Sequence, residues 1–189
     1  VSFIPESNLL RLGPYTDALE RLGVECISHV EASSVKEYLR REGDQLDVVM
    51  LFRAPVAIRH TRAVRRYCPS AKLIFSTIDL HFLREARSRK AHEGLDRSRM
   101  TLLHRAELRC MQEADHSIVI SEAELEVVKQ ELPQVSVSVV PLVREFDPAP
   151  PKDFVERSGL AFVGNYQHPP NIDAVLFFLK EVWPIVYQK

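Results

Sequence analysis

The sequence predicts an α/β fold: a Rossmann-like parallel sheet flanked by helices, followed by an incomplete second domain. Three observations carry this. Runs rich in β-branched and apolar residues alternate with stretches of helical spacing over residues 1–143. Several runs are apolar on both faces, the pattern of parallel strands covered by helices. The connections are short and carry glycine, proline or capping residues, which suits β-α-β units whose ligands gather at the carboxyl ends of the strands.

The first run, residues 1–4, precedes a helical pattern over 15–22 that stops at Gly23. A second strand over 24–28 leads to a helix over 34–41 ending at Gly43, and a third over 47–52 to a helix over 56–67 that stops before Pro69. The fourth strand spans 72–77. The charged stretch 78–115 then interrupts the alternation; Gly94 near its middle divides it, and Leu102, Leu103, Ala106 and Met111 restore an apolar stripe beyond. A fifth strand over 117–120 meets Ser121, which with Glu124 has the form of a capping box opening a helix over 122–132. A sixth covers 136–140. By the strand-end rule, function is expected at Arg53, residues 79–84, Ser121 and residues 141–144.

Residues 1–143 therefore form the first domain. Residues 144–158 hold Pro148, Pro150 and Pro151 among charges and suit an extended connector. Residues 159–189 begin again, with an apolar run over 160–163, Gly164, a polar loop through Pro169 and Pro170, and a helical pattern after Asn171. Such a segment is too small to enclose its own core, so it is expected to be the first strand and helix of an incomplete second domain.

With 46% hydrophobic and 27% charged residues, the chain has ample material for one core. It has no apolar run of membrane-spanning length and no leader-like start, which favours a cytoplasmic address. Cys26, Cys68 and Cys110 are odd in number and form no C-x-x-C, pointing to reduced thiols without a structural role in zinc binding. The seven histidines form no H-x-x-x-H pair, so no metal site is expected. G-x-G-x-x-G and G-x-S-x-G are both absent, which argues against a dinucleotide oxidoreductase and a serine hydrolase of the nucleophile-elbow kind. Residues 53–109 carry 14 Lys/Arg against 5 Asp/Glu, a basic island in a chain of net charge −1. It is either a solvated helical face or a surface for an anionic partner, including peripheral contact with the inner face of an anionic membrane; without aromatic interleaving it does not suit nucleic acid.

Four ordered segments carry a resemblance. They are residues 72–87 (Lys-Leu-Ile-Phe-Ser-Thr-Ile-Asp-Leu-His-Phe-Leu-Arg-Glu-Ala-Arg), 113–122 (Glu-Ala-Asp-His-Ser-Ile-Val-Ile-Ser-Glu), 139–141 (Val-Val-Pro) and 162–174 (Phe-Val-Gly-Asn-Tyr-Gln-His-Pro-Pro-Asn-Ile-Asp-Ala). In this order they resemble the group 1 (family 4-like) glycosyltransferases of the GT-B type, over roughly residues 45–186. The resemblance implies two Rossmann-like domains facing across a cleft, with the N-terminal half of a GT-B fold on the acceptor side. It implies a nucleotide sugar as donor substrate, no further cofactor, and a carbohydrate or lipid-linked acceptor. His81 falls where such enzymes often place a histidine near the sugar, with donation of a hydrogen bond to a sugar hydroxyl or charge stabilisation at the reacting carbon as its implied role. Arg53, Asp79 and Arg84 fall on the acceptor side, and Gly164, Asn165 and Asn171 on the donor side, where a glycine permits close backbone approach and a helix start offers N–H groups to phosphate.

The chain departs from the pattern in two places. Tyr166, Gln167, His168, Pro169 and Pro170 stand where many relatives have an arginine and a lysine, and Leu142 and Val143 stand where many have Asn-Gly. The paired glutamates of the donor side would lie beyond Lys189, so the chain by itself is expected to be inactive and, with apolar surface left uncovered, to self-associate. A second reading needs no catalysis: residues 1–150 as a Rossmann-like binding or regulatory module whose tail docks on a partner. A receiver-like role for Asp79 lacks the second pair of acids, since only Glu6 is near the first strand.

Overall fold

A computed structural model of the chain describes residues 1–11, 13–84, 97–143 and 153–187; for 97–100 it describes the backbone alone. The chain divides into two compact units, Val1–Val143 and Arg144–Lys189.

The first unit is an α/β domain built on a four-stranded parallel sheet. Its strands are β3 (Val48–Phe52), β4 (Lys72–Ser76), β5 (His116–Val119) and β6 (Val137–Val139), hydrogen-bonded in that order. Register runs Val48 to Lys72 through Phe52 to Ser76, then Ile74 to His116, then Ser117 to Val137. A separate parallel pair, β1 (Ser2–Phe3) and β2 (Glu25–Cys26), holds the N-terminal residues. Because side chains alternate along a strand, Val49, Leu51, Leu73, Phe75, Ser117 and Val119 share one face, and all of them are buried.

Helices α3 (Ala54–Tyr67) and α5 (Glu122–Glu131) pack on the sheet, and α2 (Val35–Glu42) and α4 (Arg97–Glu113) pack on α3; α1 (Gly13–Arg21) packs on β2. Leu73, Phe75, Val64, Met111, Val119 and Val128 are almost wholly buried in one core. Each large side chain removed from water contributes ~1.5–3 kcal/mol, so this layer carries most of the unit's stability. The opposite face is different. Val48, Met50 and Phe52 on β3 are exposed, so the expectation of strands covered on both faces fails at β3 among the described residues.

Local signals explain the helix limits. Ser34 caps α2 by accepting the Glu37 N–H (3.2 Å), and Ser121 caps α5 by accepting the Glu124 N–H (3.3 Å). The helix expected over 56–67 begins earlier, at Ala54, because Pro55 in the first turn loses no hydrogen bond there and its fixed φ favours the turn. Gly23 ends the α1 connection with φ 78°, as a left-handed glycine should. Gly43 does not. Its φ is −58°, and a Cβ there would stand 2.1 Å from the Tyr67 carbonyl oxygen, so close approach to the end of α3 is what requires glycine. Gly94 lies outside the described residues, as do Arg144 and residues 145–152 of the expected connector.

The second unit, where described, is mostly helical: α6 (Pro169–Phe177), a wide π-type turn Phe178–Val182, and α7 (Trp183–Tyr187). Pro184 explains the wide turn. It has no N–H to give the Lys180 carbonyl and its ring crowds that group, and the preceding Trp183 N–H reaches back to Phe178 O. The strand expected over 160–163 is not formed: those residues are exposed and pair with no strand among the described residues. An extended segment becomes a strand only when a neighbour completes its ladder. Among the described residues, no helix is long and apolar enough to cross a membrane.

Candidate functional site

Four parallel strands end together at Phe52, Ser76, Val119 and Val139, and the residues following β3 and β4 are the unusual ones. Arg53 (φ 73°) and Ile78 (φ 64°) are the two non-glycine residues with positive φ among those described. For isoleucine, branched at Cβ, that conformation costs on the order of 1–3 kcal/mol and persists only where the surroundings hold it. Arg53 is tied by its own N–H to Ser76 O (2.8 Å), and Thr77 N–H and Oγ1 both donate to Ile118 O (3.0 and 3.2 Å). The loop is thus anchored on both sides before it reaches Asp79.

Asp79, His81 and Arg84 are brought together. Arg84 donates to Asp79 Oδ2 (2.7 Å) across a half-exposed ion pair, and His81 Nδ1 lies 3.3 Å from the Asp79 carbonyl oxygen and 3.7 Å from Asp79 Oδ1. A carbonyl only accepts, so Nδ1 carries the proton in that hydrogen bond. Burial holds the His81 ring below the usual histidine range, Asp79 opposes that, and Arg84 and Arg53 add to it. The ring is therefore neutral near pH 7, with Nε2 as its acceptor. This differs from the sequence expectation: a neutral His81 accepts a proton or a hydroxyl hydrogen bond at Nε2 instead of donating one. Arg53 is exposed at the neighbouring strand end and close enough to bear on His81 electrostatically.

Two glutamates hold this loop from behind. Glu107, wholly buried on α4, accepts the His81 N–H at Oε1 (3.1 Å) and the Phe82 N–H at Oε2 (3.0 Å). Glu124, in the first turn of α5, accepts Leu80 N–H (3.3 Å) and Ile120 N–H (3.0 Å). Residues 81–84 are helical, so these carboxylates take N–H groups that a helix start otherwise leaves free. Desolvation pushes the Glu107 carboxyl up to about 7, against the two N–H groups that favour its anion. Glu107 was not among the residues expected from sequence. Its signal was there: it lies one helical turn before Cys110 and Met111, the buried apolar residues of α4, and an acid on such a stripe needs a partner.

The remaining expected residues fall as follows. Ser121 spends its hydroxyl on the α5 cap. Leu142 and Val143 are exposed past the end of β6, and Arg144 is outside the described residues. In the second unit Gly164, Asn165 and Asn171 form one turn: Asn171 Nδ2 donates to Asn165 O (2.9 Å), and Asn165 Oδ1 accepts Gln167 N–H (2.8 Å). A Cβ on Gly164 would stand 2.7 Å from the Phe162 ring, a contact that the half-exposed ring can relieve by turning aside. Because α6 opens on Pro169 and Pro170, two first-turn N–H groups are missing, and Asn171 N–H is given to His168 O (2.9 Å). The helix start therefore offers an anion less than the sequence pattern implied.

A concavity of ≈ 200 Å³ lies elsewhere, at the β1–α1–β2 edge, lined by Phe3, Leu10, Arg11, Tyr15, Cys26 and Ile27. Arg11 there is spent on Glu20 (2.5 Å), and the lining lacks a converging set of polar groups. Within the described part of the basic island, Arg59 pairs with Glu6, Arg65 with Asp115, Arg84 with Asp79 and Arg109 with Glu113. Arg87, Arg89 and Lys90 lie outside the described residues. Neither protein-family models nor curated proteins gave a match to this chain.

Proposed function

We propose that the chain is part of a glycosyltransferase of the GT-B type, with Val1–Val143 as its acceptor-side domain and Gly164, Asn165 and Asn171 on the donor side. The observation that carries this reading is the Asp79–His81–Arg84 cluster at the carboxyl end of β4, held by Glu107 and Glu124 and flanked by Arg53. In the reaction, neutral His81 accepts a hydrogen bond from a sugar or acceptor hydroxyl at Nε2, and Asp79 fixes the ring's tautomer through its carbonyl. Arg84 and Arg53 supply cationic N–H groups for phosphate or hydroxyl oxygens, Arg84 while still bound to Asp79. The donor is a nucleotide sugar and the acceptor a carbohydrate or a lipid-linked acceptor; transfer needs both domains closed around both substrates.

The test is a panel of nucleotide sugars offered to the complete protein and, separately, to the 189-residue chain, with release of nucleoside diphosphate as the readout. Turnover by the complete protein and none by the chain is the expected result. No turnover or donor binding by the complete protein, over a broad panel of donors and acceptors, would sink the reading and favour a non-catalytic binding module.

A further inference from the structure

We infer that Glu107 is a positioning residue for His81: its buried carboxylate clamps the His81 and Phe82 amides, and taking up a proton loosens that clamp and moves the imidazole. The inference rests on the strand-end cluster being the working site, not on the reaction assigned to it.

Geometry carries the argument. Three consecutive backbone N–H groups, of Leu80, His81 and Phe82, are accepted by two carboxylates from different helices, Glu124 on α5 and Glu107 on α4. They follow directly on Ile78, whose left-handed backbone costs energy that only such external ties can hold in place. The two clamps are unequal. Glu124 is only half-buried, whereas Glu107 is completely enclosed with one N–H on each oxygen. A carboxylate accepts both bonds, but a carboxylic acid turns one oxygen into a hydroxyl that is a poor acceptor, so protonation strands either the His81 or the Phe82 N–H. The Phe82 ring stacks on His104 of α4 with centroids 4.3 Å apart, so a shift at Phe82 is also felt along α4.

The charges around Glu107 favour a proton there near neutral pH. Desolvation and Asp79 act against the anion, while the two amides and Arg84 act for it, leaving the carboxyl at about 7. Cys110 on the same helix interacts with Glu107 and is held protonated by burial. The elements packed around these groups add His60 on α3, kept neutral by burial, with His104 on α4 and Glu124 on α5.

The experiment uses the wild-type chain without substrate, so it stands apart from the donor panel. The Glu107 carboxyl carbon and the His81 and Phe82 amides are followed by NMR from pH 5 to 9. The carboxyl signal is expected to titrate near neutrality, and both amides to move with the same midpoint. In Glu107→Gln the amide transition should vanish, and in His81→Gln, which removes the imidazole's own titration, it should persist at the backbone. A Glu107 carbon that stays fully ionised throughout overturns the inference, and so does an amide transition that survives Glu107→Gln or disappears with His81→Gln. Because the carboxyl titration is read on the wild type, failure of either variant to fold leaves the inference testable.

Discussion

At the scale of single residues, the carboxylate of Glu107 sets stability as well as position. Replacing it by alanine leaves two buried backbone N–H groups without acceptors, at ~1–3 kcal/mol each, so Glu107→Ala should lose at least ~2 kcal/mol in chemical denaturation. The pH dependence has a definite sign. A carboxyl raised from its ordinary 4.5 to about 7 binds a proton more readily folded than unfolded, so its contribution is present below pH 4.5 and fades as pH rises through 7. His81 runs the other way: held below its ordinary value, it costs stability as pH falls through about 6.5. Denaturation midpoints measured from pH 4.5 to 8 should therefore lose their decline toward neutrality in Glu107→Gln while keeping the acid-side loss from His81. Asp79, His81 and Arg84 were legible in the sequence because a strand end can be recognised locally. Glu107 and Glu124 were not placed there, since each meets the loop across more than 20 residues of chain.

At the scale of elements, the strongest test of the packing is Phe75 on β4, 1% exposed at the centre of the core. Phe75→Ala should cost ~3–5 kcal/mol, Ser121→Ala only ~1 kcal/mol through loss of the α5 cap. Gly43→Ala belongs between them, at ~1–3 kcal/mol, because its Cβ would drive into the Tyr67 carbonyl. Urea denaturation of the three variants would order them. All six strands of the first unit were legible from β-rich apolar runs, and the α5 cap from Ser121, whereas Ser34, read as the first residue of its helix, is instead the cap of α2. Gly43 was read as a helix stop, yet its need for glycine comes from α3, a distant neighbour no local pattern reports. The run 160–163 has strand composition without strand structure, because composition specifies a propensity and pairing specifies the ladder.

At the scale of the whole molecule, apolar side chains stand open among the described residues, including Val48, Met50 and Phe52 on β3 and Phe177, Leu179, Ile185 and Tyr187 in the second unit. Apolar groups on this scale favour association, so sedimentation velocity of the 189-residue chain should reveal concentration-dependent self-association; a clean monomer over a wide range would contradict it. The proposed working site is the cluster around His81. Its most direct test is the rate of nucleoside diphosphate release by the complete protein with His81 replaced by alanine, once a donor is found. A loss of ~10²-fold or more is expected with the fold intact by circular dichroism, whereas a His81→Ala rate equal to wild type would place the working site elsewhere.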